Sequence, residues 1–256
     1  NSSTKMNPVF TSFNDQSWIE IPISATAMFY GANLMWNYSG WSSGDKATFK
    51  TWVADLLNSF GLSISDSCCV VQNYASWGNV FIMSAATITG NNTAFNWAVD
   101  YWKELIPCTM DTNGSLYRER ERSESAIHYS LFCLDAWISA AEIARHHGVD
   151  LYNYKYGTKG LELGLDFMST YAINPGAWPP SVSNIQDNCG VNRPYNNDFS
   201  VYDRYNCELR YPGIYELAHK WKPSKTNYTN VLSICGGRPF YENRTMGPTT
   251  LTHGIP

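Results

Sequence analysis

Apolar positions recur along most of this chain at intervals of three and four residues, the spacing that gathers them on one face of an α-helix. Residues 17–36, SWIEIPISATAMFYGANLMW, are so uniformly apolar that they predict a helix buried on most of its sides. Residues 44–61 predict a second helix, with Asp45 near its start, a stripe of Phe49, Trp52, Val53, Leu56 and Leu57, and Gly61 as its stop. Segments 75–90 and 91–106 follow one another directly, and Phe95, Val99 and Trp102 form the stripe of the latter. The clearest pattern covers 123–148, with Ser123 as cap and Gly148 as stop. Two more helices are expected over 160–172 and within 208–221, the last opening at Pro212, because proline suits a first helical turn. Trp97, Trp102 and Trp137 fall inside these patterns and read as core. His146 and His147 close the long helix, where a cation suits the helix dipole. Helices joined by short turns predict an all-α fold of stacked helical hairpins, as in an α/α toroid or barrel.

Two segments break the pattern. Residues 173–206 are rich in Pro, Gly, Asn and Asp without any period, and 236–256 are also irregular. Long loops in a compact domain are usually functional or stapled, and Cys189 with Cys207 is a candidate staple. Cys68 or Cys69 with Cys108 is another. Seven cysteines leave at least one over, and Cys133, inside an apolar helical stretch, is the expected free thiol. The spacing contains no CxxC pair and no His-x-x-x-His partner, so no metal is expected, and no cofactor either. Asn-x-Ser/Thr sequons begin at Asn1, Asn37, Asn91, Asn113, Asn227 and Asn243. With the cysteines they predict a glycosylated protein secreted into an oxidising compartment. The start at Asn1 reads as a processed chain. No apolar run reaches the ~18 residues that span a bilayer, so no membrane partner is expected. A formal net charge of −4 argues against nucleic acid, whose phosphates call for a basic surface. Aromatic residues make up 15% of the chain, which suits a surface that grips sugar rings and suits an aromatic core equally.

The stretch NGSLYRERERSESAIHY, residues 113–129, resembles the core motif of alginate lyases of polysaccharide lyase family 5. That pattern runs Asn-Gly-x-Leu-x-x-Glu-x-x-Arg, then three residues, then Ala-Leu-x-Tyr. Asn113, Gly114, Leu116, Glu119, Arg122, Ala126, Ile127 and Tyr129 meet it without a gap. Downstream, HGVDLY (147–152) is similar to the family's Gly-Val-Asp-Leu; upstream, QNYASWGN (72–79) and FNWAVDYW (95–102) resemble its Asn-Asn-His-x-x-Trp and Phe-x-Trp segments. The resemblance covers about residues 70–152. It implies an incomplete α/α toroid, taken as one domain over 1–256, that acts on an acidic polysaccharide; the chain itself is expected to be a monomer. Two features depart from the pattern. Tyr74 stands where the family has His, and the chain is too short upstream of Asn73 for all the helices, and the lid segment, that the family carries there.

A uronate polymer can be cut without water: a base removes the proton at C5, and the glycosidic oxygen at C4 leaves. Negative charge then builds beside a carboxylate that is already charged. Such a site needs groups that neutralise the carboxylate, a base, and an acid for the leaving oxygen. By the resemblance, Arg122 and Asn73 neutralise the carboxylate, Tyr129 is the catalytic acid and also a candidate base, and Tyr74 is the candidate for the family's His. An arginine is always charged and can hold a carboxylate through two hydrogen bonds. If Arg122 and Tyr129 shared one helix, seven residues would place them two turns apart on the same face. A cation beside a tyrosine favours its phenolate, so Arg122 would serve twice. Gln72, Trp77 and His128 are the further substrate-binding candidates. Trp77 follows Tyr74 by three residues and could share a sugar platform with it, or be plain core. His128 projects about 100° away from Tyr129 around a helix, so it is not given the base's role.

Two other functions fit the same residues. A glycoside hydrolase would need two carboxyl groups flanking the bond, and Glu119, Glu121 and Glu124 are interleaved with Arg118, Arg120 and Arg122, which would neutralise them. A protein that binds acidic glycan without cutting it is kept open by the Tyr74 replacement.

Overall fold

The computed structural model describes residues 17–60, 73–122, 125–178, 185–186, 192–193, 211–233, 244–247 and 249. Its helices are α1 (Ser17–Leu34), α2 (Ser43–Phe60), α3 (Asn73–Thr89), α4 (Asn92–Thr109), α5 (Ala126–His146), α6 (Leu161–Ile173), α7 (Pro212–Trp221) and α8 (Thr226–Leu232). Short 3-10 turns lie at Glu119–Glu121 and Pro175–Ala177. Inside the loop expected between 173 and 206, Ile185–Gln186 and Asn192–Arg193 pair as a two-stranded antiparallel ladder.

Two helices form the core, and their sequences show why. The segment NYASWGNVFIMSAATIT of α3 has no charged residue, and it is buried at every position from Asn73 to Ala86 except Tyr74. Helix α5 supplies small residues, Cys133, Ala136, Ser139, Ala140, Ala141 and Ala144, that let neighbouring backbones come close, and all are buried. Helices α1, α2 and α4 pack around α3, while α6 and α7 pack around α5. Helix α8 lies against α6 and α7. The two core helices run in the same direction. Near their starts Trp77 meets Phe132, with ring centres 5.1 Å apart. Near their ends Ser84 and Thr87 share a small cleft with Ile143, His146 and His147. Polar side chains stitch the layers: Asn79 Nδ2 donates to the Ala98 carbonyl at 2.8 Å, and Trp137 Nε1 donates to Ser76 Oγ at 2.9 Å.

The helix boundaries lie close to those read from periodicity, with informative shifts. Helix α3 begins two residues early, at Asn73, because the Glu119 carboxylate accepts its first backbone N–H at 2.6 Å. Helix α4 runs on through Pro107, which sits in its last turn. Helix α5 begins at Ala126 with Ser125 as its cap residue; Ser123, the expected cap, lies outside the described residues. Burial corrects two expectations. Helix α1 is not enclosed on most sides, since Met28 and Leu34 are exposed, and Trp97 is not core but 39% exposed, stacked on Tyr101. Trp102 and Trp137 are core as expected. Cys133 is a buried free thiol, and Cys108 is disulfide-bonded. The other five cysteines, and with them the expected pairings, lie outside the described residues. Among the described residues no helix is long and apolar enough to cross a membrane, and no group of three acidic, His or Cys side chains is placed to hold a metal.

Candidate active site

Among the described residues the two core helices are open to solvent at their N-terminal ends. From Ala126 to Ala144, His128 and Tyr129 are the two α5 positions that are not buried, and Tyr74 is their counterpart on α3. Since α3 and α5 run in the same direction, both N-termini meet here, and both helix dipoles direct partial positive charge toward this end.

The segment before α5 is built to deliver an arginine to that opening. Asn113 and Gly114 turn the chain back: Gly114 has φ +94°, and Ser115 N–H donates to Asn113 Oδ1 at 3.0 Å. Arg120 then anchors the segment from inside. It is fully buried, donates to Ser115 Oγ at 3.0 Å, and lies 3.5 Å from the Asp111 carboxylate. The alternating charges therefore divide into three pairs of different character. Arg118 and Glu121 make a loose surface pair at 3.9 Å, Arg120 a buried one with Asp111, and Arg122 a half-buried one with Glu119 at 3.7 Å. Arg122 is not on α5: it ends the 3-10 turn Glu119–Glu121. The chain between turn and helix still brings its guanidinium to 4.4 Å from the centre of the Tyr129 ring.

Glu119 joins the parts. It is fully buried, and beside the backbone contact it accepts from Asn73 Nδ2 with both oxygens, at 3.1 and 3.0 Å. The two oxygens of one carboxylate subtend far less than the angle between an amide's two N–H bonds. They therefore share one hydrogen, and the second Asn73 N–H remains for another acceptor. Burial raises the Glu119 carboxyl above its usual range, while the Arg122 charge and the Asn73 donors pull it back. With its lone pairs committed in this way, Glu119 is a poor acid for hydrolysis.

Asn73, Arg122 and Tyr129 thus come together as expected, with His128 alongside at 5.0 Å between ring centres. Trp77 does not join them as a sugar platform. It is fully buried behind the site, because α3 turns that face toward Phe132. Tyr74 is half-buried beside Asn73, and among the described residues no hydrogen bond or ring contact links it to Tyr129. Gln72 lies outside the described residues.

Two residues that periodicity did not single out complete the opening. Tyr211, just before α7, meets His128 Nδ1 through its hydroxyl at 3.3 Å, and Arg244 Nη2 donates to the same hydroxyl at 3.2 Å. Tyr211 has φ +50°, a left-handed conformation that costs a side-chain-bearing residue roughly 1–2 kcal/mol, and it does so just before a proline, which favours extended backbone. Burial, with Arg244 next to it, lowers His128 to about 4, so the imidazole is neutral at physiological pH.

Comparison with known proteins adds a family and a fold. A model of the alginate lyase family matches residues 1–178. The alginate lyase of Pseudomonas aeruginosa is 30% identical over 87 residues, which is 34% of this chain and 23% of the relative. That of Azotobacter vinelandii is 29% identical over 90 residues, 35% of this chain and 24% of the relative. Among solved structures, alginate lyase A1-III from Sphingomonas species A1 superimposes with a TM-score of 0.76 at 16% identity, over 94% of this chain and 63% of that one. A tyrosine-to-phenylalanine variant of A1-III complexed with tetrasaccharide gives 0.75 at 17% identity, over 95% and 65%. These neighbours show the fold, an α/α toroid. The chain spans less than two thirds of their length and matches about a quarter of the curated relatives.

Proposed function

The chain belongs to the alginate lyase family, and from that premise we propose that it cleaves a uronate polysaccharide of the mannuronan or glucuronan type by β-elimination. Arg122 and the second N–H of Asn73 take the carboxylate of the sugar that loses its C5 proton. Positive charge then stands where negative charge develops, which is the most effective place for it. Tyr129, facing the Arg122 guanidinium, removes the C5 proton as a phenolate and returns a proton to the leaving O4 as a phenol. The C5–H and C4–O bonds break, a C4–C5 double bond forms, and no water is consumed. Tyr74, half-buried beside Asn73, flanks this chemistry. The observation that carries the reading is the Glu119 link, which brings Asn73 and the Arg122–Tyr129 pair from separate segments into one opening.

The test is direct. Wild-type protein incubated with mannuronan, guluronan, glucuronan and pectate should release unsaturated product, seen by its ultraviolet absorbance, from at least one of them. Tyr129→Phe should lower that rate about 10³-fold or more with the thermal melt unchanged. Flat absorbance on every polymer ends the lyase reading, and a Tyr129→Phe protein of normal rate removes Tyr129 from it.

Secretion and glycosylation belong to the same proposal. Asn37, Asn91 and Asn113 are exposed and could carry glycans. Asn227 could do so only by giving up Nδ2 hydrogen bonds to Asp166 and Ser169, both at 3.0 Å. Asn1 and Asn243 lie outside the described residues.

A further inference from the structure

Arg244 is a cation at the opening with no part in the chemistry above. It is exposed, yet its guanidinium is held in place, 5.1 Å from the centre of the Phe132 ring, 5.5 Å from that of Tyr211, and hydrogen-bonded to the Tyr211 hydroxyl. Two aromatic faces and one hydroxyl fix the plane of the fork, and among the described residues the Tyr211 hydroxyl is the one acceptor its donors meet. The Arg244 backbone N–H donates to the Asp135 carboxyl, and the charges of Asp135 and Glu20 act on its guanidinium. Phe132 and His128, the α5 residues against which this cluster rests, each contact the Tyr129 ring, at 6.3 and 5.0 Å between centres. Arg244 and Arg122 therefore both rest against one small group of rings.

A polyuronate carries a carboxylate on every sugar, so a cleft that neutralises one must also meet the next. We propose that Arg244, aimed by Tyr211 and Phe132, binds the carboxylate of the uronate adjacent to the one being cut. A planar guanidinium suits that ligand because it offers two parallel donors. The left-handed backbone of Tyr211 is part of this arrangement, since it sets the hydroxyl between His128 and Arg244. Arg244 is then a specificity-determining contact that reads charge along the polymer, and it does not take part in proton transfer. This inference rests on the uronate reading above.

The experiment compares wild type, Arg244→Gln and Arg244→Lys on a mannuronate tetrasaccharide, by initial rates and by equilibrium binding at several salt concentrations. Arg244→Gln should raise KM about tenfold and leave kcat within about twofold. Its binding should also weaken less steeply with salt than that of wild type. Arg244→Lys should recover the salt dependence and only part of the affinity, because a point charge replaces the fork. Should Arg244→Gln fail to fold, Tyr211→Phe removes the hydroxyl that aims the guanidinium, and a rise in KM is expected there too. An unchanged KM and salt dependence, or a fall in kcat alone, overturns the proposal. A wild-type protein that binds the tetrasaccharide through Arg244 but leaves every polymer uncut would end the lyase reading and keep this subsite. A protein that does not bind the tetrasaccharide loses both.

Discussion

Glu119 is the residue on which the site's polar geometry turns, and it is distant in sequence from the Asn73 amide it orients. Its two oxygens face the Asn73 amide nitrogen, so the amide has one stable orientation, NH₂ toward the carboxylate. Replacing one oxygen with NH₂ would set donor against donor. In Glu119→Gln the Asn73 amide should turn over and present its oxygen toward the substrate carboxylate, and Arg122 would lose its partner. The expected loss in kcat/KM is about 10²-fold, roughly 3 kcal/mol, the range seen when one charge-stabilising donor is removed. Initial rates on the susceptible polymer, with a thermal melt as control for folding, check it. A rate within a few-fold of wild type would show that Asn73 needs no such orientation.

At the scale of elements, the turn that carries Arg122 depends on Gly114. A Cβ there would lie 2.5 Å from the Leu163 carbonyl oxygen and 2.9 Å from Phe167 Cβ, both on α6, and φ +94° disfavours any side chain. Gly114→Ala should therefore destabilise the protein by about 2–4 kcal/mol, read as a lower urea midpoint with little change in slope. A midpoint like that of wild type would show that α6 can move away freely. This contact also marks where the sequence stops being readable. Helices α2 to α6 were legible because one apolar stripe per helix is a local signal, and the Asn-Gly…Arg…Tyr motif was legible as a family pattern. The helical spacing assumed for Arg122 and Tyr129 was wrong in its route, because a 3-10 turn and a short link intervene, and right in its outcome. Trp77 was ambiguous for a plain reason: which side of α3 faces Phe132 is decided by packing and not by a three-residue interval. Tyr211 and Arg244 left no trace at all, since their contacts join an aperiodic tail to α5 and no spacing rule spans that distance.

Over the whole molecule, the return of the tail across α5 couples stability to pH through two groups of opposite sign. Burial, with Arg244 nearby, lowers His128 to about 4. Between that pH and about 6.5 the unfolded chain holds a proton that the native state does not, so this group makes the fold more stable as pH rises through the window. Asp135 is buried on the same helix and pushed up to about 7, with Arg244 opposing the shift through its charge and its backbone N–H. Between the ordinary carboxyl value of 3.8 and about 7 the native state keeps a proton that the unfolded chain releases. Stability from this group is therefore complete below that range and lost as pH rises through it. Burial of Glu119 acts in the same direction as that of Asp135. Wild type should show only a shallow dependence between pH 4 and 6.5, where His128 and Asp135 offset one another, and single variants should expose each. Asp135→Asn removes its own falling component and leaves that of Glu119, so its stability relative to wild type should improve by on the order of 4 kcal/mol from pH 4 to pH 7. His128→Gln should change in the opposite sense: referred to wild type, it should lose stability as pH rises from 4 to 6.5. Urea unfolding at pH 4, 5.5 and 7 measures both, and an Asp135→Asn difference that stays constant over the range would mean that the native state does not keep the Asp135 proton there.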